Sequence, residues 1–299
     1  LEMKGWPKND ANIILYVELV LMVLFLTMNG ADLWIQQNSP ELNYISAGSF
    51  PISQYLLPLF DGLSSNVVFI IERSAWWLHI IGILCFLNYL YYSKHLHILL
   101  AFPNTYFANL NAKGKFSNLK SVTNEVKMML DPSIDPYSNA SPVEVSKFGA
   151  SDVFDLSKIQ LLNAYTCTEC GRCTSECPAN QTGKKLSPRK IMMDTRDRVE
   201  AVGRNIDTNK GEFKPDGKEL LSDYISKEEL WACTSCNACV EACPIGIDPL
   251  SIIMDMRRYL VMEKSDAPSE LNNMMSNIEN NGAPWPFNQM DKLNWKNEI

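Results

Sequence analysis

Hydrophobic residues gather in two long runs near the start of the chain and thereafter recur at helical spacing between polar stretches. Residues 12–29 read NIILYVELVLMVLFLTMN, where Glu18 is the one charged residue. A second run covers residues 67–92 and carries a helical pattern on to about Phe102, where Pro103 is expected to stop it. Mostly apolar runs of about twenty residues are candidates to cross a lipid bilayer; a pair of buried core helices is the other way to read them. The segment between the runs, residues 30–65, holds Asp32, Glu41 and Asp61 but no lysine or arginine. Lys4 and Lys8 precede the first run, and Lys94, Lys113, Lys115 and Lys120 follow the second. Lysine and arginine collect on the cytoplasmic side of a membrane, so both flanks are expected in the cytoplasm and the middle loop outside. Trp34, Trp76 and Trp77 then fall near the outer interface, where aromatic belts form. Glu72 and Arg73, near the same end of the second run, lie close enough to water to need no special role.

Beyond the second run the pattern changes. Residues 131–149 are rich in Pro, Ser and Asn and read as a linker. Residues 156–166 regain helical apolar spacing, and Ser226-Lys-Glu-Glu229 has the form of a capping box. Ser187-Pro188-Arg-Lys-Ile191-Met-Met-Asp194-Thr-Arg196 is echoed by Asp248-Pro249-Leu-Ser-Ile252-Ile-Met-Asp255-Met-Arg257. Each copy pairs a capping residue with proline at the first helical position, so each predicts a helix. Arg196 and Arg257 are candidates to reach cluster sulfurs or an acidic partner, or to be solvated helix charges. Residues 203–223 form a polar excursion that reads as loop. The tail from Asn280, with Trp285 and Phe287, is turn-rich; it is expected to fold over a metal centre, dock a partner or pack as plain apolar area.

The cysteines bring the chemistry. Eight of the nine fall in two copies of one phrase, Cys167-x2-Cys170-x2-Cys173-x3-Cys177-Pro178 and Cys233-x2-Cys236-x2-Cys239-x3-Cys243-Pro244. In the bacterial ferredoxin pattern three close cysteines take three corners of a [4Fe–4S] cube, and the fourth ligates the other cluster. Cys167, Cys170, Cys173 and Cys243 are therefore assigned to one cluster, and Cys233, Cys236, Cys239 and Cys177 to the second. Zinc sites or disulfides are the alternatives, but zinc usually takes two C-x2-C pairs rather than three cysteines plus one. Thiolates kept for metal imply a reducing compartment. The ninth cysteine, Cys85, sits alone in an apolar run as a small packed hydrophobe. A net charge of -7 gives no basis for nucleic-acid binding. The chain opens at Leu1 with neither an initiator methionine nor a signal-peptide pattern, so further residues are expected upstream.

Fold class follows: mainly α, with transmembrane helices and then an α-helical ferredoxin-type domain holding two [4Fe–4S] clusters. The expected division is a membrane domain over residues 1–105, a linker over 106–150 and the two-cluster domain with its tail over 151–299.

The three histidines are His79, His95 and His97. On one continuous helix, His79 and His97 share a face and lie about 27 Å apart along the axis, whereas His95 points about 160° away from His79. That spacing suits axial ligands for two stacked b-type haems; a packed His79 and an interfacial His97 are the plain alternative. Glu18 is an intramembrane acid, either a proton relay to quinone or a partner within the bundle.

At this point the chain resembles a known architecture. The run NIILYVELVLMVLFLTMN, an outer loop and ERSAWWLHIIGILCFLNYLYYSKHLHILLAFPN are similar to the last two helices of the nitrate reductase gamma-type cytochrome b domain. In that family a histidine and a second one eighteen residues on, after Ser-basic-x-x, hold two haems; the resemblance carries those roles to His79 and His97. The doubled cysteine domain resembles the helical ferredoxin of heterodisulfide reductase, and the fusion resembles electron-transfer-flavoprotein:quinone oxidoreductases. The resemblance implies a subunit of a quinone oxidoreductase in the bacterial inner (cytoplasmic) membrane. Electrons would pass from a soluble donor, an electron-transfer flavoprotein fed by acyl-CoA oxidation, through the clusters and haem to menaquinone. Related proteins supply the opposite haem ligands from further upstream helices, and carry Cys-Cys-Gly repeats; neither another histidine nor an adjacent cysteine pair occurs here. A cysteine-rich cytoplasmic partner chain is therefore expected. The alternatives are a heterodisulfide-, lactate- or glycerol-3-phosphate-type reductase subunit and, in another class, a membrane-anchored iron–sulfur sensor or scaffold without turnover.

Overall fold

The computed structural model describes residues 6–45, 48–112, 114–131 and 147–297. Most of the Pro-, Ser- and Asn-rich stretch 131–149, along with Lys4 and Lys113, lies outside the described residues. The chain divides into two compact units, Leu1–Phe102 and Pro103–Ile299. Among the described residues the secondary structure is helical, without a β-strand.

The first unit is a helical hairpin. Helix α1 (Trp6–Asn38) and helix α2 (Ser65–Leu90) are joined by a loop with two short 3-10 turns. Both are long and apolar enough to cross a membrane, and little of either is covered: 6% of the α1 window and 17% of the α2 window is buried. A core helix of a water-soluble protein would be mostly covered. The helices touch closely at Gly82, where an added Cβ would stand 2.7 Å from Leu21 Cδ2. At the loop end Ala31, Ile35, Phe60 and Val68 form a small core.

Polar residues fasten both ends of this hairpin. Asp10 is 1% exposed and accepts hydrogen bonds from the Tyr89 hydroxyl (2.5 Å), the Ser93 hydroxyl (3.0 Å) and the Lys94 amide (3.0 Å). Glu72 at the other end is 2% exposed, accepting from Tyr44 at 3.0 Å and pairing with Arg73. The expectation that Glu72 needs no special role is thus corrected: it is a buried, bonded carboxylate.

A second correction concerns the helix carrying the histidines. The sequence pattern reads as one helix to Phe102, but α2 ends at Leu90. A 3-10 turn over Lys94–Leu96 follows, and helix α3 (His97–Tyr106) starts afresh. The cause is visible in the bonds just described. Asp10 takes the Ser93 hydroxyl and the Lys94 amide, and Ser93 Oγ also caps the His95 amide at 3.1 Å. Pro103 does not stop α3, which runs three residues past it.

The second unit is built around short helices. They are α4 (Lys120–Leu130), α5 (Lys158–Thr166), α6 (Arg172–Ser175), α7 (Pro178–Gln181), α8 (Pro188–Thr208), α9 (Lys227–Ala232), α10 (Ala238–Glu241), α11 (Pro249–Met262) and α12 (Ser269–Asn281). The capping signals read from the sequence are used. Ser187 accepts from the Lys190 amide and Asp248 from the Ser251 amide, each ahead of a first-turn proline. Ser226 and Glu229 close a capping box, as do Ser157 and Gln160 before α5. Helices α8 and α11 supply Ile191, Met192, Ile252, Ile253 and Met256, each at most 1% exposed. Burying one such side chain contributes roughly 1.5–3 kcal/mol.

Helix α8 extends five residues beyond Gly203, where a loop was expected, because Ile206 packs against this core. Later in the polar excursion, Asp216 has a structural role. Arg198 is 1% exposed, and its guanidinium donates to Asp152 (2.7 Å), Asp216 (2.5 Å) and the Lys218 carbonyl (2.5 Å). A buried amide ladder completes the unit. Asn104 donates to the Ile245 carbonyl (2.8 Å) and accepts from Asn163 (3.1 Å), whose own oxygen accepts the Asp248 amide (2.7 Å). In the tail, Trp285 and Phe287 are 41% and 64% exposed, so they are not packed as core.

Candidate metal centres

Helices α5 and α9 each end one residue before the first cysteine of a phrase. The following loops turn through left-handed residues at matching places: Glu169 (φ 61°) and Gly171 (φ 81°) in one, Ser235 (φ 56°) and Asn237 (φ 61°) in the other. Such turns aim backbone N–H groups into concavities that suit iron–sulfur sites. The amides are accordingly found on sulfur: Ser235 donates to Cys233 Sγ and Ile247 to Cys243 Sγ, both at 3.4 Å. Within each loop the second cysteine, Cys170 or Cys236, is exposed, while Cys177 and Cys239 are buried.

Burial dominates the acidity of these thiols. It pushes Cys167 up to about 12, against the Glu169 amide, and Cys239 up to about 12, with Cys233 and Cys173 adding to the rise. Cys173 is raised by burial first, then by Cys170 and Cys243, against bonds from Thr174. Cys233 is raised by burial, with Cys177 and Cys236 adding, against the Ser235 amide and Arg257. Thiols of both phrases thus act on one another: Cys243 and Cys239 of the second with Cys173 of the first, and Cys177 of the first with Cys233 of the second.

Among the described residues no three His, Cys, Asp or Glu side chains close on a single metal ion. A cubane asks for wider spacing, because each thiolate binds a different iron. Eight thiols, gathered from two loops with amides on their sulfurs, fit a pair of such clusters. The high thiol pKa values imply that binding is coupled to proton release, since the ligand is the thiolate.

Two arginines adjoin the loops, and neither donates a hydrogen bond to a cysteine sulfur among the described residues. Arg196 of α8 pairs with Glu169 at 2.6 Å, and that carboxylate is 2% exposed with its second oxygen lacking a hydrogen-bond partner. Burial pulls the Arg196 pKa down, but the bond to Glu169 outweighs it. Arg257 of α11 donates instead to the carbonyls of Leu230 (2.6 Å) and Cys233 (2.5 Å) and to Ser235 Oγ (3.3 Å). Its guanidinium lies over the Trp231 ring, 4.9 Å from the centroid. The sequence signal for the Glu169 contact, an acid inside the Cys-x2-Cys unit, was present but was not used.

In the first unit, His79 Nδ1 is 3.0 Å from the Leu21 carbonyl and His97 Nδ1 is 2.7 Å from the Lys94 carbonyl. A carbonyl only accepts, so Nδ1 carries a proton in each ring and Nε2 is the nitrogen left to take a ligand. With the helix broken between them, the shared-face argument for His79 and His97 no longer applies. The His95 ring centroid lies 6.0 Å from that of His97. Glu18 Oε1 lies 3.8 Å from His95 Nε2. Cys85 is exposed on α2, which corrects its reading as a packed residue; in this hairpin apolar faces turn outward.

Residues 166–247 match the family described as a 4Fe-4S dicluster domain. The chain is 30% identical over 308 residues to a probable iron-sulfur-binding oxidoreductase FadF of Bacillus subtilis, covering 93% of this chain and 40% of that one. It is 26% identical over 311 residues to an EtfAB:quinone oxidoreductase of Syntrophomonas wolfei, covering 97% and 40%. A probable membrane-anchored ferredoxin of Chromohalobacter salexigens is 32% identical over 165 residues, covering 50% and 24%. The chain thus spans 40% of the length of the first two relatives. No solved structure matches. The chain carries a 4Fe-4S dicluster domain and is related to iron–sulfur oxidoreductases.

Proposed function

We propose that this chain is the electron-carrying part of a membrane quinone oxidoreductase, taking electrons from a soluble flavoprotein and delivering them to menaquinone. The observation that carries the reading is the matched pair of cysteine loops: each opens right after a helix end and turns through two left-handed residues, within residues 166–247 that match a 4Fe-4S dicluster domain. Cys167, Cys170, Cys173 and Cys243 would hold one [4Fe–4S] cluster, and Cys233, Cys236, Cys239 and Cys177 the other. Bound there, the clusters would supply one-electron relay chemistry. The chain's own residues shape that relay by excluding water from Cys177 and Cys239 and by donating amides to sulfur.

The relatives support the acceptor and the donor, since one of them is named as an EtfAB:quinone oxidoreductase. The uncovered apolar faces of α1 and α2 support insertion in a bacterial cytoplasmic membrane, with the lysine-bearing flanks and the cysteine loops inside. Free Nε2 atoms on His79 and His97 support a b-type haem at each, with the opposite ligand supplied from outside this sequence. Glu18, beside His95, is the position for handling the proton that quinone reduction consumes. A cysteine-rich cytoplasmic subunit with Cys-Cys-Gly repeats completes the assembly.

The intact complex, purified gently, tests this. Iron and acid-labile sulfide sufficient for two clusters, haem bands that sharpen with dithionite, and quinone reduction by reduced electron-transfer flavoprotein are expected. Clusters without haem would leave a direct cluster-to-quinone route. Clusters without any quinone reduction would overturn the enzyme reading in favour of a sensor or scaffold.

A further inference from the structure

The two cysteine loops are near copies, and between the first and second cysteines they differ at a single position. Cys167-Thr168-Glu169-Cys170 stands against Cys233-Thr234-Ser235-Cys236. Glu169 and Ser235 share the left-handed conformation (φ 61° and 56°), and each meets the arginine of the helix that follows its loop. Arg196 reaches the Glu169 carboxylate at 2.6 Å, and Arg257 reaches the Ser235 hydroxyl at 3.3 Å. The geometry is shared, but the charge is not.

In the first loop the guanidinium is neutralised by a carboxylate that is 2% exposed. In the second, Arg257 donates to two carbonyls and one hydroxyl, and among the described residues no carboxylate pairs with it. A guanidinium stays protonated at any physiological pH. Stacking on Trp231 accommodates this charge without cancelling it. Each charged group lies next to a first-position cysteine: Glu169 is two residues past Cys167, and Arg257 donates to the Cys233 carbonyl at 2.5 Å. Reduction adds one negative charge to a cluster, and fixed charges nearby shift its potential, most strongly where water is excluded.

We propose that the Glu169/Ser235 difference makes the two centres unequal, so that the cluster held by Cys233, Cys236, Cys239 and Cys177 has the higher reduction potential and is the electron's resting place. This rests on the two-cluster reading above.

The test is an EPR-monitored redox titration of the intact, cluster-loaded complex, in the wild type and three variants. Glu169→Ser should raise the lower-potential wave by about tenfold in its one-electron equilibrium constant, or about 59 mV. Ser235→Glu should lower the higher-potential wave by about the same factor. The double exchange, E169S with S235E, should reverse the order. Glu169→Gln, which keeps the side chain's shape, must also raise the lower wave, and it serves if a glutamate at 235 impairs assembly. If Glu169→Gln moves the higher wave or neither wave, the inference is wrong while two clusters still stand. Iron and sulfide enough for only one cluster would overturn the two-cluster reading itself.

Discussion

The two units of this chain solve burial in opposite senses. In the hairpin the large apolar side chains face out, with Leu15, Leu19, Val20 and Val23 each at least 54% exposed, while Asp10 and Glu72 are 1% and 2% exposed. In the cluster unit Ile252, Ile253 and Met256 are at most 1% exposed, and most charges face water. One set of residues turns its apolar side chains outward and keeps its polar contacts as interior staples. The other buries its apolar side chains in a core. The lesson is that the same helical chain can keep either its apolar or its polar side chains inside, and the buried residues of each unit tell which.

The largest effect that would sharpen this contrast lies in the metal loops. Cys177→Ser is expected to abolish the cluster of Cys233, Cys236 and Cys239 and to spare that of its own phrase, with EPR of the reduced complex as the measurement. Loss of the other signal would break the crosswise assignment. Next comes Arg198→Met, which strands Asp152 and Asp216. Removing one partner of a buried ionic network costs about 3–5 kcal/mol, so the denaturant midpoint of the cluster unit should fall while the hairpin is unaffected. In the hairpin, Val23→Arg places charge on an outward face; if that face meets lipid, insertion should weaken by about 2.5–3.5 kcal/mol, read as the membrane-bound fraction. An unchanged fraction would mean the face meets water or protein.

The smallest expected effect is one of pH. Burial raises the Asp194 carboxyl to about 6, against the bond from Lys190. A carboxyl that is a weaker acid when folded binds more protons in the folded state, so its contribution to stability falls as pH rises from about 4 to about 6. Asp194→Asn should remove that slope, so the thermal midpoint of the variant relative to wild type should climb between pH 5 and pH 7.

Much of the cluster unit was legible because its signals are local. The Ser226–Glu229 box and the Ser187-Pro188 and Asp248-Pro249 starts act within a few residues of themselves, and each is used in the structure as read. The misreadings came from contacts between residues far apart in the chain. Nothing near Ser93 announces that Asp10, more than eighty residues earlier, will take its hydroxyl and break the helix. Helical periodicity therefore gave a false shared face for His79 and His97. Glu169 escapes for a different reason: its place stands out only when the two loops are laid side by side and Ser235 is found opposite it.

The amide ladder has a practical consequence for dividing the molecule. Asn104 mates with Asn163 and the Ile245 carbonyl, and Asn163 in turn holds the amide of Asp248, just after the Cys243-Pro244 corner. The ferredoxin module thus borrows its first residues from the stretch that leaves the hairpin. A soluble fragment cut at the start of the cysteine domain would open a polar hole behind Cys243, whereas one that begins at Pro103 takes its own plug with it.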